Sequence, residues 1–123
     1  MNKIIVVDDD VELLEVLDII LRREGIKLIG LTGSKTLPEH LIEKPCVIFL
    51  DVHIAGEDGR DLCRKLKANP QTNDIPVVMF SASSTGKLKD NCPADEFVEK
   101  PFDIKHLVSV IKTYCKPFIL EDN

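Results

Sequence analysis

Three short runs of strictly apolar residues are spaced along the chain, at positions 4–7, 47–50 and 77–80. Each run is rich in β-branched or aromatic residues, and none alternates between apolar and polar positions. Such runs are typical of strands that are buried on both faces, as in a parallel sheet covered by helices. They predict the centre of an α/β domain.

Segments between and after these runs carry apolar residues at helical spacing. They predict helices at 11–24, 37–44, 59–68 and 104–115. Asp10 and Asp103 stand where each would cap a helix, and Gly25 supplies a stop for the first one. Pro38 falls in the first turn of its segment, where proline is tolerated.

Two weaker strands complete the alternation, at 27–32 and 96–98. Strands and helices then follow one another along the chain, which predicts right-handed βαβ units. The expected fold is a doubly wound, five-stranded parallel sheet with helices on both faces. Segment 83–94 contains Gly86 and Pro93 and few apolar residues, so a fourth helix there is predicted to be short or irregular.

The size and charge of the chain restrict its function. The 123 residues, 44% hydrophobic and 30% charged, suit a single domain, with 116–123 as a C-terminal tail and no output domain. A formal net charge of −5 disfavours the basic face that nucleic-acid binding requires. The apolar runs are far too short to span a membrane. We therefore expect a cytoplasmic protein with no direct nucleic-acid or membrane partner.

The cysteines form no recognisable motif. Cys46, Cys63, Cys92 and Cys115 lack CxxC or CxxH spacing, so neither a zinc site nor a redox pair is indicated. Buried free thiols are the expectation for a protein of the reducing cytosol.

Polar residues stand directly after the predicted strands. Asp8 and Asp9 follow the first strand, Asp51 the third, Ser81 the fourth and Lys100 the fifth. Because ligand sites in open parallel sheets form at the carboxyl ends of the strands, these side chains are expected to converge. Clustered carboxylates raise a pKa or hold a divalent cation, and a set of oxygen ligands favours Mg²⁺.

This set of groups favours phosphoryl transfer to Asp51. Formation of an aspartyl phosphate needs a carboxylate nucleophile beside Mg²⁺, with an ammonium and a hydroxyl group to bind the phosphoryl oxygens. Lys100 and Ser81 would supply those two groups.

Four segments also resemble a known family, the receiver domain of bacterial two-component response regulators. They are VVDDD at the end of the first strand, VIFLDVHIAGEDG around the third, VVMFSA at the fourth and FVEKPF at the fifth. Their order and separations are similar to those of the family, and the resemblance covers essentially the whole chain. It implies a flavodoxin-like (βα)₅ fold of the stand-alone, single-domain type.

The resemblance also implies a role for individual residues. Asp51 would be the phosphoacceptor, and Ser81 and Lys100 would bind the phosphoryl group. Phe97 matches the aromatic switch position, and the bond between Lys100 and Pro101 is expected to be cis. The implied Mg²⁺ ligands are Asp8, Asp9, Asp51 and the backbone carbonyl of His53.

Two departures from the family pattern affect the expected switch. Ala55 stands where the family usually has proline, which predicts a less rigid loop after Asp51. The segment between Ser81 and Lys100 is shorter than usual and contains the irregular stretch 83–94. In the family, the helix in this segment forms a face with the fifth strand and the last helix, and that face changes on phosphorylation and contacts partners. The resemblance therefore gives the least support to signal output through this face.

The predicted function is that of a phosphoacceptor signalling protein. It would receive a phosphoryl group from a sensor histidine kinase or phosphotransfer protein and act on a downstream protein, by contact or phosphorelay. Its only chemistry would be its own phosphorylation and autodephosphorylation. One alternative is a receiver-like adaptor that needs no phosphorylation. Another is a haloacid-dehalogenase-like phosphohydrolase, which His53 disfavours because it occupies the place of the second catalytic aspartate.

Overall fold

The computed structural model of the protein describes residues 3–81 and 92–115. In the described residues the strands are β1 (Lys3–Val7), β2 (Lys27–Leu31), β3 (Val47–Asp51), β4 (His53–Ile54), β5 (Glu57–Asp58), β6 (Val77–Ser81) and β7 (Glu96–Glu99). The helices there are α1 (Val11–Arg23), α2 (Leu37–His40), α3 (Gly59–Ala68) and α4 (Ile104–Tyr114). All five predicted strands are present within a residue or two of their expected limits.

Five strands form one parallel sheet in the order β2-β1-β3-β6-β7. The chain leaves β1 in one direction to form β2 and then returns to form β3 on the other side of β1. This reversal opens a crevice at the carboxyl ends of β1 and β3, where ligands bind in folds of this class. The sequence-based prediction of a doubly wound parallel sheet is confirmed.

Alternate residues of the central strands face two separate hydrophobic layers. Val6, Phe49 and Phe80 pack with α1 and α4 on one side of the sheet. Ile5 and Met79 face the other side, where α2 and α3 pack. Because both faces are covered, these strands have no polar positions in their middle, and their functional side chains lie at their ends.

Aspartate side chains cap the three longer helices at their amino termini. Asp10 accepts a hydrogen bond from the Leu13 N–H at 3.1 Å, and Asp103 accepts one from the Lys105 N–H at 2.9 Å. Both caps were expected from the sequence. Asp58 caps α3 in the same way, and this cap was not expected from the sequence.

Helix α2 is shorter than the predicted segment 37–44. It ends at His40, and Thr36 makes no side-chain capping bond at its start. Ile42, which would extend the apolar side of the helix, is 84% exposed. A short helix gains most of its stability from packing, so a second turn without a cap or a buried side chain is not retained.

The prediction that all four cysteines are free thiols is wrong for two of them. Cys46 and Cys115 form a disulfide with a Cα–Cα distance of 5.4 Å, which joins the start of β3 to the end of α4. Cys63 and Cys92 are free and buried. The bonded cysteines are 69 residues apart, so only the tertiary fold brings them together.

Part of the chain lies outside the described residues. It includes 82–91, which holds most of the segment predicted to be irregular, and the predicted tail 116–123. Within the described ranges, none of the helices combines the length and apolar character that crossing a membrane requires.

Candidate phosphoryl-acceptor site

Three of the predicted site residues meet at the carboxyl ends of three strands. Asp8 follows β1, Asp51 ends β3 and Lys100 follows β7. The Lys100 Nζ lies 2.6 Å from Asp8 Oδ2 and 3.2 Å from Asp51 Oδ2, so one ammonium group binds both carboxylates. The convergence that the strand ends predicted is therefore present.

The two carboxylates bound by Lys100 differ in how deeply they are buried. The side chain of Asp8 is 0% exposed, whereas that of Asp51 is 14% exposed at the same edge of the sheet. Burial raises the pKa of Asp8, although its hydrogen bond with Lys100 opposes the shift. Burial alone would lower the pKa of Lys100, but hydrogen bonds and charge from Asp8 and Asp51 outweigh it and raise that pKa. Lys100 therefore stays charged, and Asp51 is the carboxylate of the pair that an incoming group can reach.

Asp9 is held by the loop that follows Asp51. Strands β4 and β5 form a two-residue antiparallel hairpin, with Ala55 and Gly56 at its turn. Ala55 has φ 34°, and its N–H donates to Asp9 Oδ2 at 3.0 Å. Proline has a fixed negative φ and no N–H. Ala55 therefore makes a contact with Asp9 that proline could not make. The expectation that alanine only makes the loop less rigid did not include this contact.

The three carboxylates fit a divalent cation. One oxygen from each of Asp8, Asp9 and Asp51 lies within 4.8 Å of the other two. A set of hard oxygen donors that includes exposed, water-accessible groups is the environment that Mg²⁺ favours, since this ion keeps several of its waters. The chemistry of the donors agrees with the predicted metal.

Gly59 allows the loop to close against β3. Its N–H donates to the Val52 carbonyl at 2.7 Å. A Cβ at this position would overlap the backbone oxygen of Asp51. Glycine is required here because the start of α3 passes directly against the backbone of Asp51.

An aromatic stack lies beside the ammonium group of Lys100. Its Nζ is 5.5 Å from the centre of the Phe80 ring, and Phe80 stacks between Phe49 and Phe102. This contact is within the range of a cation–π interaction. The stack restricts the conformation of the Lys100 side chain. It also adds a favourable contact to the two that Lys100 makes with the carboxylates.

Four other predicted positions lie on or near β4, β6 and β7. Ser81 ends β6 and pairs with Glu99 of β7, but its side chain lies outside the described part of the structure. His53 has an exposed side chain, and its N–H is 3.4 Å from Asp51 Oδ1. Phe97 is half-buried against the layer that contains α3. The bond from Lys100 to Pro101 is cis, as expected.

Three features in or near the site were not predicted from the sequence. These are the N–H of Ala55, the ring of Phe80 and the capping carboxylate of Asp58. Only the last had a local signal, since an aspartate directly before an amphipathic segment is a common helix cap. The other two depend on contacts between distant parts of the chain.

Comparisons with known proteins agree with this geometry. The family model described as the response regulator receiver domain matches residues 4–112. A DNA-binding response regulator, MtrA of Mycolicibacterium smegmatis, is 37% identical over 116 residues, 90% of this chain and 49% of its own length. The chain thus spans about half the length of the curated relatives it matches.

Solved structures share the fold. The receiver domain of a signal transduction histidine kinase from Syntrophus aciditrophicus is 28% identical, with a TM-score of 0.84 over 95% of this chain and 92% of its own. A receiver domain of a Pseudomonas aeruginosa sensor histidine kinase, with magnesium coordinated in its active site cleft, is 18% identical, with a TM-score of 0.80 over 92% of this chain and 96% of its own. On the family match and the curated relatives, the chain belongs to the receiver domain family of two-component response regulators.

Proposed function

We propose that the protein accepts a phosphoryl group on Asp51 from a histidine kinase or a phosphotransfer protein. The observation that carries the proposal is the position of the Asp51 carboxylate, which is partly accessible and is bound at 3.2 Å by the Lys100 ammonium group. Asp8 lies too deep to meet a donor protein. Asp9 is exposed but is not among the partners of Lys100 in the described contacts.

The same edge would hold the required Mg²⁺. Asp8, Asp9 and Asp51 would supply carboxylate oxygens, and the backbone carbonyl of His53 would complete the protein ligands. When bound, the ion supplies positive charge that offsets the charge on the phosphoryl oxygens. The magnesium-bound receiver domain from Pseudomonas aeruginosa supports this assignment.

Residues of the chain then promote a nucleophilic displacement at the phosphorus atom of the donor. An oxygen of Asp51 attacks the phosphorus atom, and the phosphorus–nitrogen bond of the donor phosphohistidine breaks. The electron pair stays on the donor imidazole, which takes up a proton. Lys100 pairs with an oxygen of the transferred group, and the hydroxyl of Ser81 donates to another. Later attack by water at phosphorus restores the carboxylate and releases inorganic phosphate, so this chemistry resets the protein and turns over no separate substrate.

The signal would pass to a downstream protein through surface contacts or phosphorelay. Phe97 would be the residue that responds, and its half-buried position on β7, next to β6, the strand that Ser81 ends, supports this role. The acidic composition favours protein partners over direct binding of nucleic acid. MtrA is a DNA-binding response regulator, but this chain matches only about half of its length. A cytoplasmic location stays a prediction.

Phosphorylation by a small donor tests the proposal. The protein is incubated with acetyl phosphate and Mg²⁺, and its intact mass is measured. We expect the wild-type protein to gain one HPO₃ group and the Asp51→Asn variant to gain none. The matched control is Asp61→Asn, which changes an exposed carboxylate on α3 and should leave the gain intact. Equal phosphorylation of wild type and Asp51→Asn would overturn the assignment.

Partner binding separates this function from that of an adaptor. Partners captured with phosphorylated wild-type protein are tested against the Asp51→Asn variant under the same conditions. We expect the variant to lose the phosphorylation-dependent part of the binding. If it binds every partner as the wild type does, the domain acts as an adaptor that needs no phosphorylation.

A further inference from the structure

Cys63 and Cys92 come together from distant parts of the chain in the layer between the sheet and α3. Cys63 lies on α3, and Cys92 lies in the segment that leads into β7. Both side chains are buried in the same hydrophobic cluster, and each thiol lies close enough to the other to shift its pKa. The site proposed above uses neither residue.

The two thiols have unequal surroundings. A hydrogen bond from Cys63, together with one from the Ala94 N–H and the charges of Arg64 and Arg60, outweighs the effect of burial and lowers the pKa of Cys92. The hydrogen bond to Cys92 and burial raise the pKa of Cys63. Cys92 is therefore the thiol of the pair that ionises more readily, as in reactive cysteine pairs.

Cys92 can also be reached from outside. It is 5% exposed, and it lines a surface cavity of about 410 Å³ together with Ala94, Asp95, Glu96 and Phe97. Cys63, at 0% exposure, does not line that cavity. A small, uncharged oxidant would thus meet Cys92 first, with Cys63 directly behind it.

We propose that Cys63 and Cys92 form a redox-active dithiol, which hydrogen peroxide converts to an intramolecular disulfide. The Cys92 thiolate attacks one peroxide oxygen, the O–O bond breaks and hydroxide leaves, so Cys92 becomes a sulfenic acid. The Cys63 sulfur then attacks the Cys92 sulfur and forms the S–S bond. The displaced hydroxyl leaves as water with the proton of Cys63. The two sulfurs together lose two electrons, which the peroxide takes up.

This disulfide would tie α3 to the segment that enters β7. Phe97 packs against the same cluster, so the bond would form within the layer on which the predicted switch residue packs. Cys46 and Cys115 lie against the cluster on the opposite side of the sheet and are already bonded to each other. They do not compete for the same oxidation.

Peptide mapping tests the dithiol in the wild-type protein. The folded protein is treated with hydrogen peroxide, its remaining thiols are alkylated, and it is digested with trypsin without reduction. Arg60, Arg64, Lys89 and Lys105 are cleavage sites that place Cys63 in peptide 61–64 and Cys92 in peptide 90–105. We expect these two peptides to become cross-linked, with the loss of two hydrogens and of both alkylation sites. Peptides that stay separate and alkylated after peroxide treatment would overturn the proposal.

Single variants test the order of the steps. In Cys63→Ser, Cys92 should stop at the sulfenic acid and be trapped by dimedone. In the matched control Cys92→Ser, Cys63 should be trapped about ten times less, since it lacks both thiolate character and access. Equal trapping in the two variants would contradict the assigned roles. The wild-type mapping remains decisive if either variant fails to fold.

Discussion

At the carboxyl ends of the strands, the Lys100 ammonium group lies within hydrogen-bond distance of both Asp8 and Asp51, whereas the amino ends carry a covalent cross-link. There Cys46, bonded to Cys115, lies beside β1, and its N–H donates to the Lys3 carbonyl at 3.0 Å. Between the two ends the strands are uniformly apolar. One sheet thus separates a charged end that carries the candidate site, called here the reactive edge, from an end that is cross-linked.

The separation has a physical basis. Charged groups held close together at the reactive edge repel or lose hydration, so they destabilise the fold while they prepare it for chemistry. A cross-link that closes a long loop restricts the unfolded chain and supplies stability that does not depend on those charges. Changes at the two edges should therefore have different consequences for stability and for phosphorylation.

The largest effect is expected from Gly59→Ala at the reactive edge. Its Cβ would overlap the backbone oxygen of Asp51, so either α3 or the acceptor strand must shift. We expect the free energy of unfolding in urea to fall by about 4 kcal/mol, at the upper end for overpacking. The matched control is Gly33→Ala, whose Cβ would meet only Glu57 Oε2 at 3.9 Å and should change little. Equal losses in both variants would contradict the close approach at Gly59.

The next effect separates the two edges directly. Replacing Cys46 and Cys115 together by serine should lower the free energy of unfolding by about 3 kcal/mol, because the disulfide closes a long loop. Phosphorylation by acetyl phosphate, measured by intact mass, should be unchanged. Reductant should bring the wild type to the stability of the variant and leave the variant unaffected. A variant that remains stable but loses phosphorylation would show that the two edges are coupled.

A smaller effect is expected at the turn of the β4–β5 hairpin. Ala55→Pro cannot adopt φ 34° and lacks the N–H that binds Asp9, so stability should fall by about 2 kcal/mol. Mg²⁺ affinity, measured by isothermal titration calorimetry, should fall as well. Ala55→Gly keeps the N–H and tolerates positive φ, and it serves as the control. Undiminished Mg²⁺ affinity in Ala55→Pro would show that this contact does not position Asp9.

The smallest effect concerns the cap of α3, next to the reactive edge. A hydrogen bond from Arg60 lowers the pKa of Asp58 to about 2 from its ordinary 3.8. A lowered folded-state pKa means that the contribution is fully present above pH 3.8 and is lost as pH falls toward 2. Because Asp58 is about one-third exposed, we expect Asp58→Ala to cost about 1 kcal/mol at pH 7. The difference in the free energy of unfolding between wild type and Asp58→Ala should shrink as the pH of the unfolding experiment is lowered. A difference that does not change with pH would exclude this ion pair as the cause.

The sequence was sufficient to predict the sheet and the main residues of the reactive edge. Buried strands have continuous apolar runs, so the residue that ends each run marks its position at the edge. Asp8, Asp51 and Lys100 could be placed together on that basis alone. The switch point between β1 and β3 then indicates which edge binds ligands.

Features that depend on distant contacts could not be predicted in this way. The pairing of Cys46 with Cys115 requires the packed position of α4, and the turn at Ala55 is fixed by its bond to Asp9. The end of α2 likewise depends on whether Ile42 finds a partner in the core, which it does not. Local sequence propensity does not depend on these tertiary contacts, so it could not predict them.

Chemical mapping of the phosphorylated residue tests the central claim most directly. Protein treated with acetyl phosphate and Mg²⁺ is reduced with borohydride, which converts an aspartyl phosphate to homoserine, and the peptides are sequenced by mass spectrometry. We predict conversion at Asp51, in tryptic peptide 36–60, and none when Mg²⁺ is removed by chelation. Conversion at Asp8 or Asp9 instead, or no conversion beside an active receiver domain treated in parallel, would contradict the account.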